Sequence, residues 1–158
     1  MAKTILVSAC LIGLRTRYDG QEKPNPCILD FFSRQRFVPI PVCPEQLAGL
    51  STPRPRTCFS QGDGTTVLDG LGELLTSDGQ RMNEAFIRGA EEALKTALLT
   101  GCGAALLKER SPSCGVHRVY LEGRIVPGCG VTTALFRKKG LKIFNEDELE
   151  ELIIELRK

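Results

Sequence analysis

Short apolar runs alternate with amphipathic stretches along most of the chain. Unbroken apolar runs bounded by turn-forming residues predict strands that are buried on both faces. Apolar and small residues recurring at helical spacing predict a long helix over residues 80–99. Strands that alternate with helices predict an α/β fold: a single three-layer, Rossmann-like domain with a mostly parallel sheet. The predicted strands are residues 4–8, 37–42, 104–108 and 142–144, and the other predicted helices are 26–35, a short one from 43, 131–139 and 147–157.

The remaining segments carry turn signals and weaker periodicity. Residues 56–79 are rich in glycine, threonine and aspartate, so we expect a loop there with one short strand near Val67. Residues 118–121 and 124–126 flank Glu122-Gly123, which predicts a β-hairpin.

Composition narrows the class of protein. The chain has 158 residues, which suits one domain over residues 1–158 with a core that needs no disulfide staples. Hydrophobic residues make up 42% and charged residues 25%, a mixture typical of globular proteins. The net charge of +2 is too small to indicate a nucleic-acid-binding surface, so no nucleic-acid partner is expected. The sequence shows no signal-peptide pattern and no run of membrane-spanning length, which indicates a cytoplasmic protein without a membrane partner. It does not reveal an oligomeric state.

Seven cysteines are present, and three of them share one placement. Cys10, Cys43 and Cys114 each lie in the segment that follows a predicted strand. Since ligands bind outside the carboxyl ends of the strands in open α/β sheets, these cysteines can converge although they are far apart in sequence. An odd number of cysteines in a reducing compartment argues against a disulfide framework, and no CxxC motif occurs.

The chemistry of this trio allows two interpretations. Thiolates are soft ligands that suit iron–sulfur clusters and zinc. Three cysteines without a fourth partner would leave one metal position open, as a catalytic metal requires. The alternative is that they are ordinary buried thiols, since free cysteine is among the most buried residue types. The residue types and spacing alone make the two interpretations about equally probable. The shared placement at strand ends favours the interpretation as metal ligands.

The other cysteines lack this placement. Cys27 lies in a predicted helix and Cys102 just before a predicted strand, so both are expected in the core. Cys58 and Cys129 lie in predicted loops and are candidates for a fourth ligand, although nothing singles them out. His117, the only histidine, is expected at the surface.

Several polar residues are close in sequence to the trio. Glu45, in the first turn after Cys43, is a candidate general base, or simply a carboxylate that interacts favourably with the helix dipole. Ser111 and Ser113 could hydrogen-bond a substrate or cap local backbone. Other charged residues in these segments either face the same pocket mouth, where the arginines would suit an anionic substrate such as a nucleotide phosphate, or are scattered on the surface. They are Arg15, Arg17, Arg54, Arg56, Lys108, Glu109 and Arg110.

Four motifs, with Phe86-Ile87-Arg88-Gly89-Ala90 in the long predicted helix, extend over nearly the whole chain. They are Ser8-Ala9-Cys10-Leu11-Ile12-Gly13 with Arg17-Tyr18-Asp19-Gly20, Val42-Cys43-Pro44-Glu45-Gln46-Leu47-Ala48-Gly49-Leu50 with Thr52-Pro53-Arg54-Pro55, Lys108-Glu109-Arg110-Ser111-Pro112-Ser113-Cys114-Gly115, and Pro127-Gly128-Cys129-Gly130-Val131-Thr132. In this order the motifs resemble the thiouracil desulfidase family, and their joint occurrence is highly specific. After Pro55 the chain departs from the family pattern, which leaves substrate preference open.

The resemblance implies a 4Fe-4S cluster bound by Cys10, Cys43 and Cys114, with one iron left open. It implies non-redox desulfuration of thiolated uracil compounds (2- or 4-thiouracil, thiouridine or its monophosphate) to the oxo form with release of sulfide. The family's catalytic acid–base carboxylate maps onto Glu45, and its catalytic serine maps best onto Ser111. Partners are then small thiopyrimidine bases, nucleosides or nucleotides.

Two alternatives of other classes remain open at this stage. A non-catalytic iron–sulfur protein for electron transfer or redox sensing would be favoured by a fourth thiolate ligand. A nucleotide-binding module would have all its cysteines in the core and would contain no iron.

Overall fold

The computed structural model describes residues 3–158. The strands of this part are β1 (Lys3–Ser8), β2 (Phe37–Val42), β3 (Thr57–Gln61), β4 (Glu73–Thr76), β5 (Ala104–Leu107), β6 (Arg118–Leu121), β7 (Arg124–Pro127) and β8 (Lys142–Asn145). Its helices are α1 (Pro26–Arg34), α2 (Pro44–Leu47), α3 (Gly64–Leu68), α4 (Asn83–Leu99), α5 (Val131–Lys138) and α6 (Leu149–Leu156), with a 3₁₀ turn over Ala9–Ile12. None of the helices in residues 3–158 combines the length and apolar character needed to cross a bilayer.

The first sheet is parallel throughout and has the strand order β2-β1-β5-β8. Successive side chains of a strand point to opposite faces. Leu6 of β1 therefore packs in one cluster with Phe136 of α5, and its neighbour Ile5 packs in another with Ile28 of α1 and Leu152 of α6. Helices cover both faces of the sheet, which confirms the predicted three-layer α/β fold with a parallel sheet.

A second sheet, with the order β4-β3-β6-β7, was not anticipated from the sequence. It is mixed, because β3 pairs antiparallel with β4 and parallel with β6. The prediction of a loop over residues 56–79 was wrong, since this segment contains β3, α3 and β4, and Val67 lies in the helix. The strands are too short to show clear alternation. Asp63 caps the start of α3, because its carboxylate accepts the backbone N–H groups of Thr65 and Thr66.

The predicted hairpin is confirmed as β6 and β7, which pair antiparallel. Its two turn residues, Glu122 and Gly123, have φ angles of 50° and 79°, as the tight two-residue turns of hairpins require. The inner face of the second sheet packs through Phe59 and Val119 on Phe86 of α4 and Val131 of α5. Helices α4 and α5 therefore contact both sheets and fix the second sheet beside the carboxyl ends of the first.

Candidate active site

A cavity of about 370 Å³ opens where β1, β2 and β5 end. Cys10, Cys43 and Cys114 all line it. Cys10 lies in the 3₁₀ turn after β1, and Cys43 directly precedes Pro44, the first residue of α2. Cys114 lies in the loop that follows β5 and is 4% exposed. The structure thus brings together the three cysteines for which the strand-end argument predicted convergence.

The three thiols are held in a poorly solvated environment. Burial raises the pKa of Cys10 to about 11, although the nearby Lys108 acts in the opposite direction. Burial also raises the pKa of Cys114 to about 12, against hydrogen bonds from Ser8 and Ser113, and it raises the pKa of Cys43. Because burial disfavours the charged form, a cationic group that binds the thiolates would relieve this cost.

This donor set fits an iron–sulfur cluster. Within residues 3–158 no three His, Cys, Asp or Glu side chains converge closely enough to bind a single metal ion. The three thiols instead surround a shared cavity. Such an arrangement suits a cluster, because its several irons would be bound by thiolates placed around a shared volume. Cys10, Cys43 and Cys114 are therefore the residues that could hold the cluster.

Glu45 lines the same cavity and forms an ion pair with Arg54. The distance from Arg54 Nη2 to Glu45 Oε2 is 3.0 Å, and only 5% of the arginine side chain and 16% of the glutamate side chain are exposed. Burial raises the pKa of Glu45, while the charge of Arg54 and its hydrogen bond act to lower it. The carboxylate is therefore fixed at the cavity wall two positions beyond Cys43. Sequence reasoning placed Arg54 only in a candidate basic face and missed this pairing.

The two serines differ in their surroundings. Ser111 Oγ accepts the backbone N–H groups of Ser113 and Cys114, at 3.2 and 3.1 Å. Ser113 is 2% exposed, and its Oγ donates to Cys114 Sγ at 3.6 Å. The two hydroxyl oxygens are 3.1 Å apart, and both residues line the cavity. Ser111 is less buried, so it is the serine more accessible to a bound molecule.

Charged side chains hold the Cys114 loop to the end of the first sheet. Lys108 forms an ion pair with Glu146 at 2.9 Å. The carboxylate of Glu109 accepts the backbone N–H groups of Val116, His117 and Arg118 and the side-chain amide of Asn145. Burial opposes ionisation of Glu109, but these hydrogen bonds outweigh it and lower its pKa.

Basic and aromatic side chains surround the cavity mouth. The chain has two tyrosines, Tyr18 and Tyr120, and both line the cavity. Each is paired with an arginine: Arg17 lies 6.0 Å from the Tyr18 ring centre and Arg56 lies 4.6 Å from that of Tyr120. Lys108, Glu109 and Arg110 line the cavity as well, whereas Arg15 pairs with Glu22. Of the arginines expected to form a basic face, Arg17 and Arg56 line the cavity without a carboxylate partner in residues 3–158, whereas the charge of Arg54 is paired with Glu45.

The remaining cysteines lie elsewhere. Cys102 is buried as predicted, but Cys27 is exposed, because it lies on the outward side of α1. Cys58 belongs to β3 and lines a second cavity, and the buried Cys129 lies 3.5 Å from Thr65 Oγ1. Neither lines the cavity of the cysteine trio. His117 is half-exposed and contacts Glu148 at 3.0 Å, as expected for a surface histidine.

Comparison with known proteins connects this cavity to a family. A protein-family model described as 2-thiouracil desulfurase matches residues 5–148. The chain is 36% identical to the uncharacterized protein YbbK of Bacillus subtilis (strain 168) over 152 residues, which cover 94% of this chain and 99% of that protein. It is similar to the solved structure of TudS, described as a 4Fe-4S-dependent thiouracil desulfidase, with a TM-score of 0.81, 41% identity and 98% coverage of both chains. The resemblance drawn from the motifs is thereby confirmed, and the chain belongs to the 2-thiouracil desulfurase family.

Proposed function

We propose that this protein removes sulfur from thiolated uracil compounds with a 4Fe-4S cluster bound by Cys10, Cys43 and Cys114. The observation that carries the proposal is the common cavity of these thiols, with the Glu45 carboxylate in its wall. The description of TudS as a 4Fe-4S-dependent thiouracil desulfidase supports the same cofactor and reaction here. The reaction would take place in the cytoplasm, where thiols stay reduced.

The overall reaction needs water and no electron donor or acceptor. The thiocarbonyl carbon gains an oxygen from water, its bond to sulfur breaks, and sulfur leaves as hydrosulfide while the ring becomes the oxo form. When bound, the cluster would supply a thiophilic Lewis acid, since three thiolates leave one of its irons without a protein ligand. The protein must then activate the water, hold the pyrimidine and return a proton.

Glu45 is the proposed general base. Its Oε2 is fixed by Arg54, and the carboxylate lies in the wall of the cavity that holds the three thiols. A carboxylate held in this way can take a proton from water as the oxygen attacks the thiocarbonyl carbon. Ser111 is the proposed proton donor to the ring or to the departing sulfur, because it is the more accessible of the two serines in the cavity.

The cavity suits a small planar substrate. Its volume of about 370 Å³ lies in the usual range of small-molecule sites. The tyrosine rings offer faces on which a pyrimidine can stack. Arg17 and Arg56 at the mouth favour a substrate with a phosphate group. We therefore propose a free thiopyrimidine base or its mononucleotide as the substrate, with the mononucleotide favoured.

Anaerobic reconstitution tests this function. The expected protein is coloured, contains about four irons and four sulfides per chain, and abolishes the thiocarbonyl absorbance of 2-thiouracil, 4-thiouracil or 4-thiouridine monophosphate with release of sulfide. Replacing Cys10, Cys43 or Cys114 by Ser should lower the iron content, and the matched change Cys27→Ser should leave it unchanged. A loaded cluster that desulfurates none of these compounds would contradict the proposal. Loss of the cluster in Cys58→Ser or Cys129→Ser would favour the electron-transfer alternative.

A further inference from the structure

We propose that Arg54 is the positioning residue of this site: its guanidinium holds the Glu45 carboxylate and the Cys43 sulfur in a fixed relation to each other. The proposal rests on the proposed function, because it assigns Arg54 to that reaction. In this role Arg54 links Cys43, a proposed cluster ligand, to Glu45, the proposed general base.

The guanidinium contacts five groups around the site. Nη2 donates to Glu45 Oε2 at 3.0 Å and to the carbonyl oxygen of Thr16 at 2.9 Å, and Cys43 Sγ lies 3.9 Å from it. Nη1 donates to Thr52 Oγ1 at 2.9 Å and to the carbonyl oxygen of Ser51 at 3.2 Å. One side chain thus joins the loop after β1, the start of α2 and the segment before β3.

The pairing with Arg54 uses one oxygen of Glu45. Within residues 3–158, Glu45 Oε1 has no hydrogen-bond partner, so it is the oxygen that is free to contact water or substrate in the cavity. A rigid pairing on one side therefore orients the reactive oxygen on the other. Because a displacement of about 1 Å in a catalytic group can lower a rate about 100-fold, this orientation is expected to matter for turnover.

An arginine, and not only a positive charge, is needed for these contacts. The guanidinium presents several donors in a fixed planar fork, whereas a lysine offers one compact ammonium group that cannot reach all the same acceptors. Only 5% of the arginine side chain is exposed, so surrounding groups hold it in this orientation. Its Nε is also buried and has no hydrogen-bond partner in residues 3–158, so the burial of this side chain carries a cost in stability.

The experiment compares Arg54→Lys, Arg54→Gln and wild type after anaerobic reconstitution to equal iron content. For Arg54→Lys we expect kcat to fall about 100-fold while KM stays within about threefold. Since a cation close to a cluster ligand raises the reduction potential and Arg54 Nη2 lies 3.9 Å from Cys43 Sγ, we expect a more negative potential in both variants. The larger shift is expected in Arg54→Gln, which also loses the positive charge. The control is Arg34→Gln, which removes an exposed arginine–carboxylate pair with Asp30 and should leave kcat and the potential unchanged.

Two outcomes at equal iron content would overturn the proposal. One is a kcat of Arg54→Lys within about threefold of wild type, and the other is a loss confined to KM, which would make Arg54 a substrate anchor. If wild type binds the cluster but desulfurates nothing, the proposed function fails separately. The role of Arg54 is then tested by the reduction potential of the cluster and by crystal structures of the variants. An unchanged potential or an unmoved Glu45 carboxylate would contradict the positioning role.

Discussion

Gly89 of α4 packs directly on the carbonyl group of Pro44, the first residue of α2. A Cβ atom at position 89 would overlap that carbonyl, so the two helices can approach this closely only with glycine here. Helix α2 is one turn long and has Cys43 before it and Glu45 within it. The contact with α4 therefore sets the depth at which these two residues enter the cavity.

The first prediction is that Gly89→Ala displaces α2 and damages the site. In an exposed helix the same change would stabilise the fold by about 1 kcal/mol. Here overpacking, which typically costs about 1–3 kcal/mol, should outweigh that gain and also reduce cluster binding. Thermal unfolding and the iron content after reconstitution measure both effects. Gly103→Ala is the control, because a Cβ there would meet no atom within 4 Å. A stabilised variant with full iron content would show that α2 is not held by this contact.

The second prediction concerns Glu45→Gln. The substitution keeps the shape of the side chain but removes its ability to accept a proton from water. Glu45 is not among the proposed cluster ligands. The absorbance of the reconstituted cluster should therefore stay as in wild type, while turnover is lost. Iron content and the rate of thiocarbonyl loss are measured on the same sample. Normal turnover by this variant would assign the base to another group.

The third prediction separates the two serines of the Cys114 loop. Ser111→Ala should reduce kcat with the cluster retained, because the more accessible hydroxyl is removed from the cavity. Ser113→Ala should instead shift the reduction potential to a more negative value, since it removes the hydrogen bond from Ser113 Oγ to Cys114 Sγ. Parallel measurements of kcat and potential distinguish them. If Ser113→Ala alone abolishes turnover at an unchanged potential, the proton donor is Ser113.

The sequence predicted the first sheet and the convergence of Cys10, Cys43 and Cys114, because both follow from local signals. Unbroken apolar runs define the buried parallel strands, and residues at the carboxyl ends of such strands meet at one edge. The second sheet gave no such signal. In β3 only Thr57 and Phe59 face the core, and a strand of five residues is too short to show alternation reliably.

The pairing of Arg54 with Glu45 could not be read from the sequence for a different reason. The two residues are nine positions apart with a turn between them, and no periodicity relates them. Whether such a pair forms depends on the path of the whole segment from α2 to β3. The expectation that Cys27 lies in the core was wrong for a simpler reason. The buried positions within α1 are Ile28 and Phe31, so position 27 faces outward.

The last prediction is that Glu109 makes the Cys114 loop sensitive to acid. Its carboxylate accepts three backbone N–H groups of residues 116–118 and the amide of Asn145, and its own backbone N–H donates to Glu146. Glu109→Gln leaves some of these donors unpaired, which should cost about 2 kcal/mol or more at neutral pH. For a chain of this size that corresponds to a fall of about 4–8 °C in the melting temperature.

The pH dependence follows from the direction of the pKa. The hydrogen bonds lower the pKa of Glu109 below its usual value of 4.5, so the folded state favours the ionised carboxylate more than the unfolded state does. Its contribution to stability is complete above that value and is lost as the pH falls through the lowered pKa. The difference in melting temperature between wild type and Glu109→Gln should therefore be constant near neutral pH and shrink below about pH 4.5. Glu92→Gln, at an exposed pair with Lys95, is the control and should show little difference at any pH. A difference between wild type and Glu109→Gln that persists unchanged into acid would mean that the loop is held by packing and not by the ionised carboxylate.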